Sequence, residues 1–143
     1  MTDELLAAYR GTRYAVLAPD GGTLAEARIG QHCPDVDAVL DRHGADSGVF
    51  ITAWNPRSIP TDDEINADAH SRLATRLAER GLAVLAHAGF GQDPAWRPEH
   101  GFFVLDLSEG EALDLAVELE QNAVVVVRRG EPAQLVLSDV MTS

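Results

Sequence analysis

The sequence predicts an α/β chain of the α+β type, with one mixed, mainly antiparallel sheet and three to four helices packed on it. Three observations predict this. Helical and strand patterns interleave in the order αββαβαββαββ. Several neighbouring strands are joined by hairpin-length connections, which parallel strands cannot use. The stretch Ala123 to Val127 is almost entirely valine, as expected of a strand buried on both faces. With 143 residues, the chain is expected to form one domain over 1–143.

Thr2 to Tyr9 reads as a short helix with Leu5, Leu6 and Tyr9 on one face. Arg13–Leu17 and Leu24–Ile29 read as strands joined at Asp20-Gly21-Gly22, a hairpin. Pro34 and Asp35 open a helix that turns Val36, Val39 and Leu40 inward and stops at Gly44. Val49–Ala53 is a central apolar strand, ended by Trp54-Asn55-Pro56-Arg57-Ser58 because proline cannot continue a central strand. Thr61 and Glu64 have the spacing of a capping box, and Ile65, Ala69, Leu73 and Leu77 form the apolar stripe of the longest helix, which ends near Gly81. Arg72, Arg76 and Arg80 form a second row at the same spacing.

Leu82–Ala86 follows as a strand, Gly89–Pro98 as a loop and Phe102–Leu107 as another strand. Ser108 and Glu111 form a second capping box ahead of a helix carrying Leu113, Ala116, Val117 and Leu119. Asn122 suits the left-handed end of that helix. After the valine strand, Gly130-Glu131-Pro132 turns the chain into a last strand, Leu135–Leu137.

Composition narrows the function classes. The net charge is −12, from 11 basic and 23 acidic residues, which argues against general nucleic-acid binding and against anionic membrane surfaces. No apolar run approaches the roughly 18 residues of a membrane span, and the acidic start lacks the apolar stretch of a signal peptide. Cys33 is the only cysteine, so no intrachain disulfide forms, which suits a reducing cytoplasm. His32 beside it makes no metal site, and no cofactor is called for. Phosphate-loop, dinucleotide, serine-elbow and zinc-protease motifs are absent.

The segment most informative about a site is Ile51 to Arg57. A buried strand delivers an indole, an amide and a guanidinium to its end, where ligands of α/β sheets often bind. Trp54 is suited to stacking on a planar ligand. Arg57 is suited to a bidentate grip on a carboxylate or phosphate, beside the N–H groups that open the long helix. The same residues also fit a turn at Asn55-Pro56 and a core-closing Trp54. Asn66 is polar where the helix turns inward and is placed to reach back to this segment. Trp96, Glu99 and His100 make a second cluster. Adjacent residues of an extended chain point to opposite faces, so Glu99 and His100 are not expected to act together. Gln121 and Asn122 offer an amide pair at the sheet edge, and His87 follows an apolar strand end.

These motifs carry a family resemblance. The stretch Phe50-Ile-Thr-Ala-Trp-Asn-Pro-Arg-Ser58, together with Asn66, the Gly-rich loop leading to Trp96-x-Pro-Glu99 and Gln121-Asn122-Ala123, resembles the bacterial domain-of-unknown-function family 3293. The likeness extends from about Leu5 to the last strand and includes Arg28-Ile-Gly30. It implies a small stand-alone bacterial domain and no particular activity. Two departures stand out: Ile65 separates Glu64 from Asn66 where the family has Glu-Asn, and His100 stands where a second glutamate is common.

Two functions follow. One is a non-catalytic domain that binds a small polar or anionic ligand, or a protein partner, at a crevice formed by Trp54, Asn55, Arg57, Asn66, Trp96, Glu99, Gln121 and Asn122. Homodimerisation is open as well. The other is an enzyme acting on a small polar substrate, with Glu99 or His87 as general base. Both require Trp54, Arg57, Asn66, Trp96, Glu99 and Gln121 to converge on one crevice.

Overall fold

The computed structural model describes residues 2–141. Among them are four α-helices, α1 (Asp3–Arg10), α2 (Pro34–Arg42), α3 (Asp63–Glu79) and α4 (Glu109–Glu118). Seven strands complete the fold: β1 (Arg13–Leu17), β2 (Thr23–Ala27), β3 (Ser47–Thr52), β4 (Val84–Phe90), β5 (Glu99–Leu105), β6 (Ala123–Arg128) and β7 (Gln134–Leu137). The strands make one sheet of order β2-β1-β4-β5-β3-β6-β7. Every ladder in it is antiparallel. The element order is the one expected from the sequence.

The sheet curls until its two edges meet at one end. Ile29, just after β2, bridges to Ala133, just before β7, and His32 bridges to Pro132. Gly30 N–H donates to Ala133 O at 2.8 Å, and Ala133 N–H donates to Gln31 O at 3.0 Å. Strand alternation then sorts side chains onto a concave and a convex face. At the closed end of the concave face, Val36, Val39 and Leu40 of α2 pack on Tyr14, Val16, Phe50, Phe103, Val125 and Val127. Phe103 fits there because Gly48 faces it; a Cβ at Gly48 would collide with the phenyl ring. On the convex face, α3 and α4 cover Val49, Ile51, Val104, Val124 and Val126. The valines of β6 are thus divided between two cores, which is why none is exposed.

Local chemistry explains most helix ends. Thr2 caps α1, its hydroxyl accepting from Leu5 N–H at 3.1 Å. Ser108 caps α4 in the expected box, accepting from Glu111 N–H at 3.2 Å and donating to Glu111 Oε1 at 3.0 Å. Pro34 starts α2 with Cys33 before it.

The box expected at Thr61 does not form. The residue flanking α3 is Asp62, and Thr61 instead donates its hydroxyl to Ile59 O and its N–H to Asn55 Oδ1. The stripe of α3 is also rotated from the expected one. Asn66, Leu73 and Leu77 are buried, whereas Ile65 is 54% exposed. Two arginines of the row on α3 reach α4, where Arg76 pairs with Glu118 and Arg80 with Glu111.

β4 and β5 are longer at the loop side than the sequence reading gave. Gly89 and Phe90 continue β4, and Glu99 and His100 begin β5, so the connecting loop runs only from Gly91 to Pro98. The left-handed residue after α4 is Glu120, φ 55°, and not Asn122.

Candidate functional site: a cavity on the concave face

At the end of the concave face away from α2 lies a cavity of about 330 Å³. α1 contributes Leu5, Ala8 and Tyr9, and the strands contribute Tyr14, Phe50, Thr52, His87, Glu99 and Val125. Gln92, Asp93 and Trp96 come from the loop between β4 and β5, and Ser58 and Gln121 from the opposite rim.

Register accounts for the room at its floor. Gly89 pairs with Glu99 and His87 pairs with Gly101 across β4 and β5. On one face, therefore, each polar side chain has a glycine directly opposite, and His87 and Glu99 sit on the diagonal. Same-face diagonal neighbours lie roughly 7–8 Å apart at the backbone, a separation that one small molecule can bridge. Gly101 is also forced by packing, because a Cβ there would run into the Ile51 carbonyl oxygen of β3.

His87 is 4% exposed and packs beside the rings of Phe50 and Tyr14, with centroids at 4.8 and 6.0 Å. Its Nδ1 lies 3.0 Å from Ala15 O, a carbonyl that can only accept, so Nδ1 carries the proton. Burial pushes its pKa down to about 4, the nearby His100 acting in the same direction. The ring is therefore neutral at pH 7, and Nε2 is an acceptor with no hydrogen bond among the described residues.

Glu99 accepts from Asn55 Nδ2 at 3.0 Å through Oε1, and its Oε2 has no hydrogen bond among the described residues. Burial raises its pKa, with the Asn55 bond opposing. Burial also raises the pKa of both phenols in the cavity, Tyr9 and Tyr14.

A node of amides holds this wall. Asn55 N–H donates to Asn66 Oδ1 at 2.9 Å, while Asn66 Nδ2 donates to Asn55 Oδ1 at 3.0 Å and to Thr61 O at 3.1 Å. Asn55 itself is left-handed, φ 46°, and so are Arg57 and Ser58 in the short 3-10 turn that follows. The β-carbon makes that conformation costly, so three such residues in four need support from outside the turn. Gln121 Nε2 donates to Trp54 O at 2.9 Å, Arg57 N–H to Glu120 O at 2.7 Å and Asn122 Nδ2 to Ser58 Oγ at 3.1 Å. Ser58 Oγ is also 3.5 Å from the Tyr9 hydroxyl.

The eight residues singled out from the sequence thus fall into three groups. Trp96, Glu99 and Gln121 line the cavity. Asn55, Asn66 and Asn122 stand behind it and position what lines it. Arg57 and Trp54 belong elsewhere. Arg57 turns out to solvent and pairs with Glu120 at 3.1 Å, so it offers the cavity no cation. Trp54 lies on the convex face, where it meets His100 edge-on at 5.3 Å and lines a second hollow of about 280 Å³ with His70. The two tryptophans therefore border different hollows on opposite faces, and a single crevice containing both does not exist. Alternation alone would turn Trp54 inward with Thr52, but β3 ends at Thr52 and the bend that follows carries the indole to the convex side, beside the outward His100.

Sequence reasoning missed Tyr9, Tyr14, Phe50, Thr52 and Ser58. All but Ser58 read as ordinary core or helix positions. The available signal was the pair of glycines inside strands, Gly89 and Gly101, since a glycine in a strand interior marks a close approach or a ligand space. Among the described residues, no three His, Cys, Asp or Glu side chains gather as a metal-binding group. No helix is long and apolar enough to cross a membrane.

The model of the family described as Protein of unknown function (DUF3293) matches residues 51–124, which is 74 of the 143 residues. The matched part runs from β3 into β6 and contains Glu99, His87, the Asn55–Asn66 node and Gln121, but not α1 or the β1–β2 hairpin. No curated protein and no solved structure matches the chain. The chain belongs to the DUF3293 family.

Proposed function

We propose that this member of the DUF3293 family is a small-molecule-binding domain whose site is the concave cavity. The observation that carries the reading is a mostly apolar, ring-lined cavity with two inward acceptors, His87 Nε2 and Glu99 Oε2, each fixed from behind and each unpartnered. Acceptors left open in a mostly apolar cavity are typical of ligand pockets. The favoured ligand has an apolar body and a hydrogen-bond donor. Since Arg57 faces solvent, an anion finds no cationic partner among the lining residues. The buried lone Cys33 and the acidic surface are in keeping with a cytoplasmic setting.

Thermal unfolding against a panel of amines, alcohols, sugars, nucleosides and carboxylates tests this. A ligand at about 100 times its Kd adds about 2.7 kcal/mol and raises the midpoint by several degrees. The shift is expected to vanish in Ala8→Trp, which fills the mouth from an exposed position of α1, and to persist in Arg57→Ala. A shift lost in Arg57→Ala and kept in Ala8→Trp would overturn the cavity reading. No shift at all would redirect the search to a protein partner or a second copy, measured by light scattering.

Catalysis is a second reading, favoured by His87 and Glu99 sharing one face of the cavity. Glu99→Gln would then bind a substrate yet lose its turnover, because the amide keeps the Asn55 bond and cannot take a proton.

A further inference from the structure

We propose that the ligand of the concave cavity is a small organic cation, an amine in its ammonium form, with Glu99 as its counter-ion. This rests on the cavity being a binding site and names the chemistry of its ligand.

Four rings line the cavity, Tyr9, Tyr14, Phe50 and Trp96. The faces of such rings carry negative potential and attract ammonium groups. Two carboxylates join them, Glu99 at the floor and Asp93 at the mouth, and no arginine is among the lining residues. The chain contains no lysine at all. Of the other ionisable groups in the lining, burial keeps the phenols of Tyr9 and Tyr14 neutral, and His87, 4% exposed and neutral, is locked by Ala15 O so that it turns an acceptor nitrogen to the cavity. The charged groups there are therefore both anions, His87 adds an acceptor, and the remaining polar groups are neutral hydroxyls and amides.

The competing ligand classes fit less well. An anion would face Glu99 and Asp93 with no compensating cation. A purely apolar molecule would cover Glu99 Oε2 and His87 Nε2 and leave both without partners, at the cost of desolvating them. An ammonium supplies three donors and a positive charge, enough for both atoms at once. Over longer range, a net charge of −12 raises the local concentration of cations.

The test is isothermal titration of the full chain with three probes of one shape: hexylammonium, 1-hexanol and hexanoate. Hexylammonium is expected to bind at least about tenfold more tightly than the alcohol, from charge-assisted hydrogen bonding and the ring faces together. Hexanoate is expected to be weakest. In Glu99→Gln the ammonium should lose about tenfold or more, while the alcohol stays within about twofold. Binding of the alcohol or the carboxylate as tightly as the ammonium would overturn the cation assignment and leave the cavity reading standing. Absence of binding by all three would overturn the cation assignment. The wider panel, read in Ala8→Trp, then decides separately whether the cavity binds anything. The comparison among probes uses the unmodified protein, so it does not depend on any variant folding.

Discussion

Asn66 stands in the buried stripe of α3 at a position where a helix of this kind usually carries an apolar residue, and it is 1% exposed. All of its polar atoms are in use. Oδ1 takes the Asn55 N–H, and Nδ2 serves Asn55 Oδ1 and Thr61 O. Asn55 in turn holds Glu99. The amide is therefore a strut between a left-handed turn and a cavity carboxylate, and its neighbours depend on it. Asn66→Ala should lose about 3 kcal/mol, since a buried N–H loses its acceptor and a void is left behind. Asn66→Asp keeps the acceptor for Asn55 N–H but places carboxylate oxygens against Asn55 Oδ1 and Thr61 O, so it should be destabilising too, and most strongly at neutral pH. Urea unfolding of the two variants at pH 7 and pH 5 measures both effects. An alanine variant within about 0.5 kcal/mol of the parent would show that the strut is dispensable.

At the scale of the elements, the glycines divide into those that packing demands and those that it does not. Gly101 of β5 has no room for a Cβ, because the obstacle is the Ile51 backbone, which cannot turn aside as a side chain could. Gly110, in the first turn of α4, has nothing within 4 Å of where its Cβ would stand. Gly101→Ala should therefore cost about 3 kcal/mol or more by forcing β3 and β5 apart. Gly110→Ala should gain a few tenths to about 1 kcal/mol from the lower entropy of the unfolded chain. Thermal melts of the pair test the contrast. This distinction was only half legible beforehand. The order of elements follows from local signals such as the Gly21-Gly22 turn, the Ser108 box and the valines of β6. Strand order and sheet closure at Ile29–Ala133 rest on contacts between distant residues, which no local pattern encodes. The ends of β4 and β5 were obscured because Gly89, Glu99 and His100 are poor strand formers, and their pairing comes from the neighbouring strands. The candidate site was legible in its supports, Asn55, Asn66 and Asn122, because a polar residue next to an apolar pattern stands out. Its lining was not, because Tyr14 and Phe50 alternate as any core residues do.

For the molecule as a whole, the cavity ties stability to pH through two groups of opposite sign. His87 has a folded pKa of about 4, below its ordinary 6.5. The unfolded chain takes up that proton first, so its contribution is intact above pH 6.5 and is lost as pH falls towards 4, by roughly 3 kcal/mol in all. Glu99 is raised above its ordinary 4.5 by burial. Its contribution is fully present below 4.5 and is lost as pH rises through the raised value, so the charge that Glu99 takes on above it is unfavourable in the folded state. Glu99→Gln removes that charge and keeps the Asn55 bond, and should raise the melting temperature at pH 7, a stabilisation gained at the expense of a ligand contact. As pH falls, the parent recovers the Glu99 contribution and Glu99→Gln does not, so the variant's melting temperature should fall more steeply between pH 6.5 and 4. His87→Gln, which keeps a donor for Ala15 O, should give a flatter curve than the parent over the same window. Coincident curves for His87→Gln and the parent would mean that water reaches the imidazole in the folded state. The floor of the cavity would then be wet, and the acceptor nitrogen offered to a ligand would already be paired.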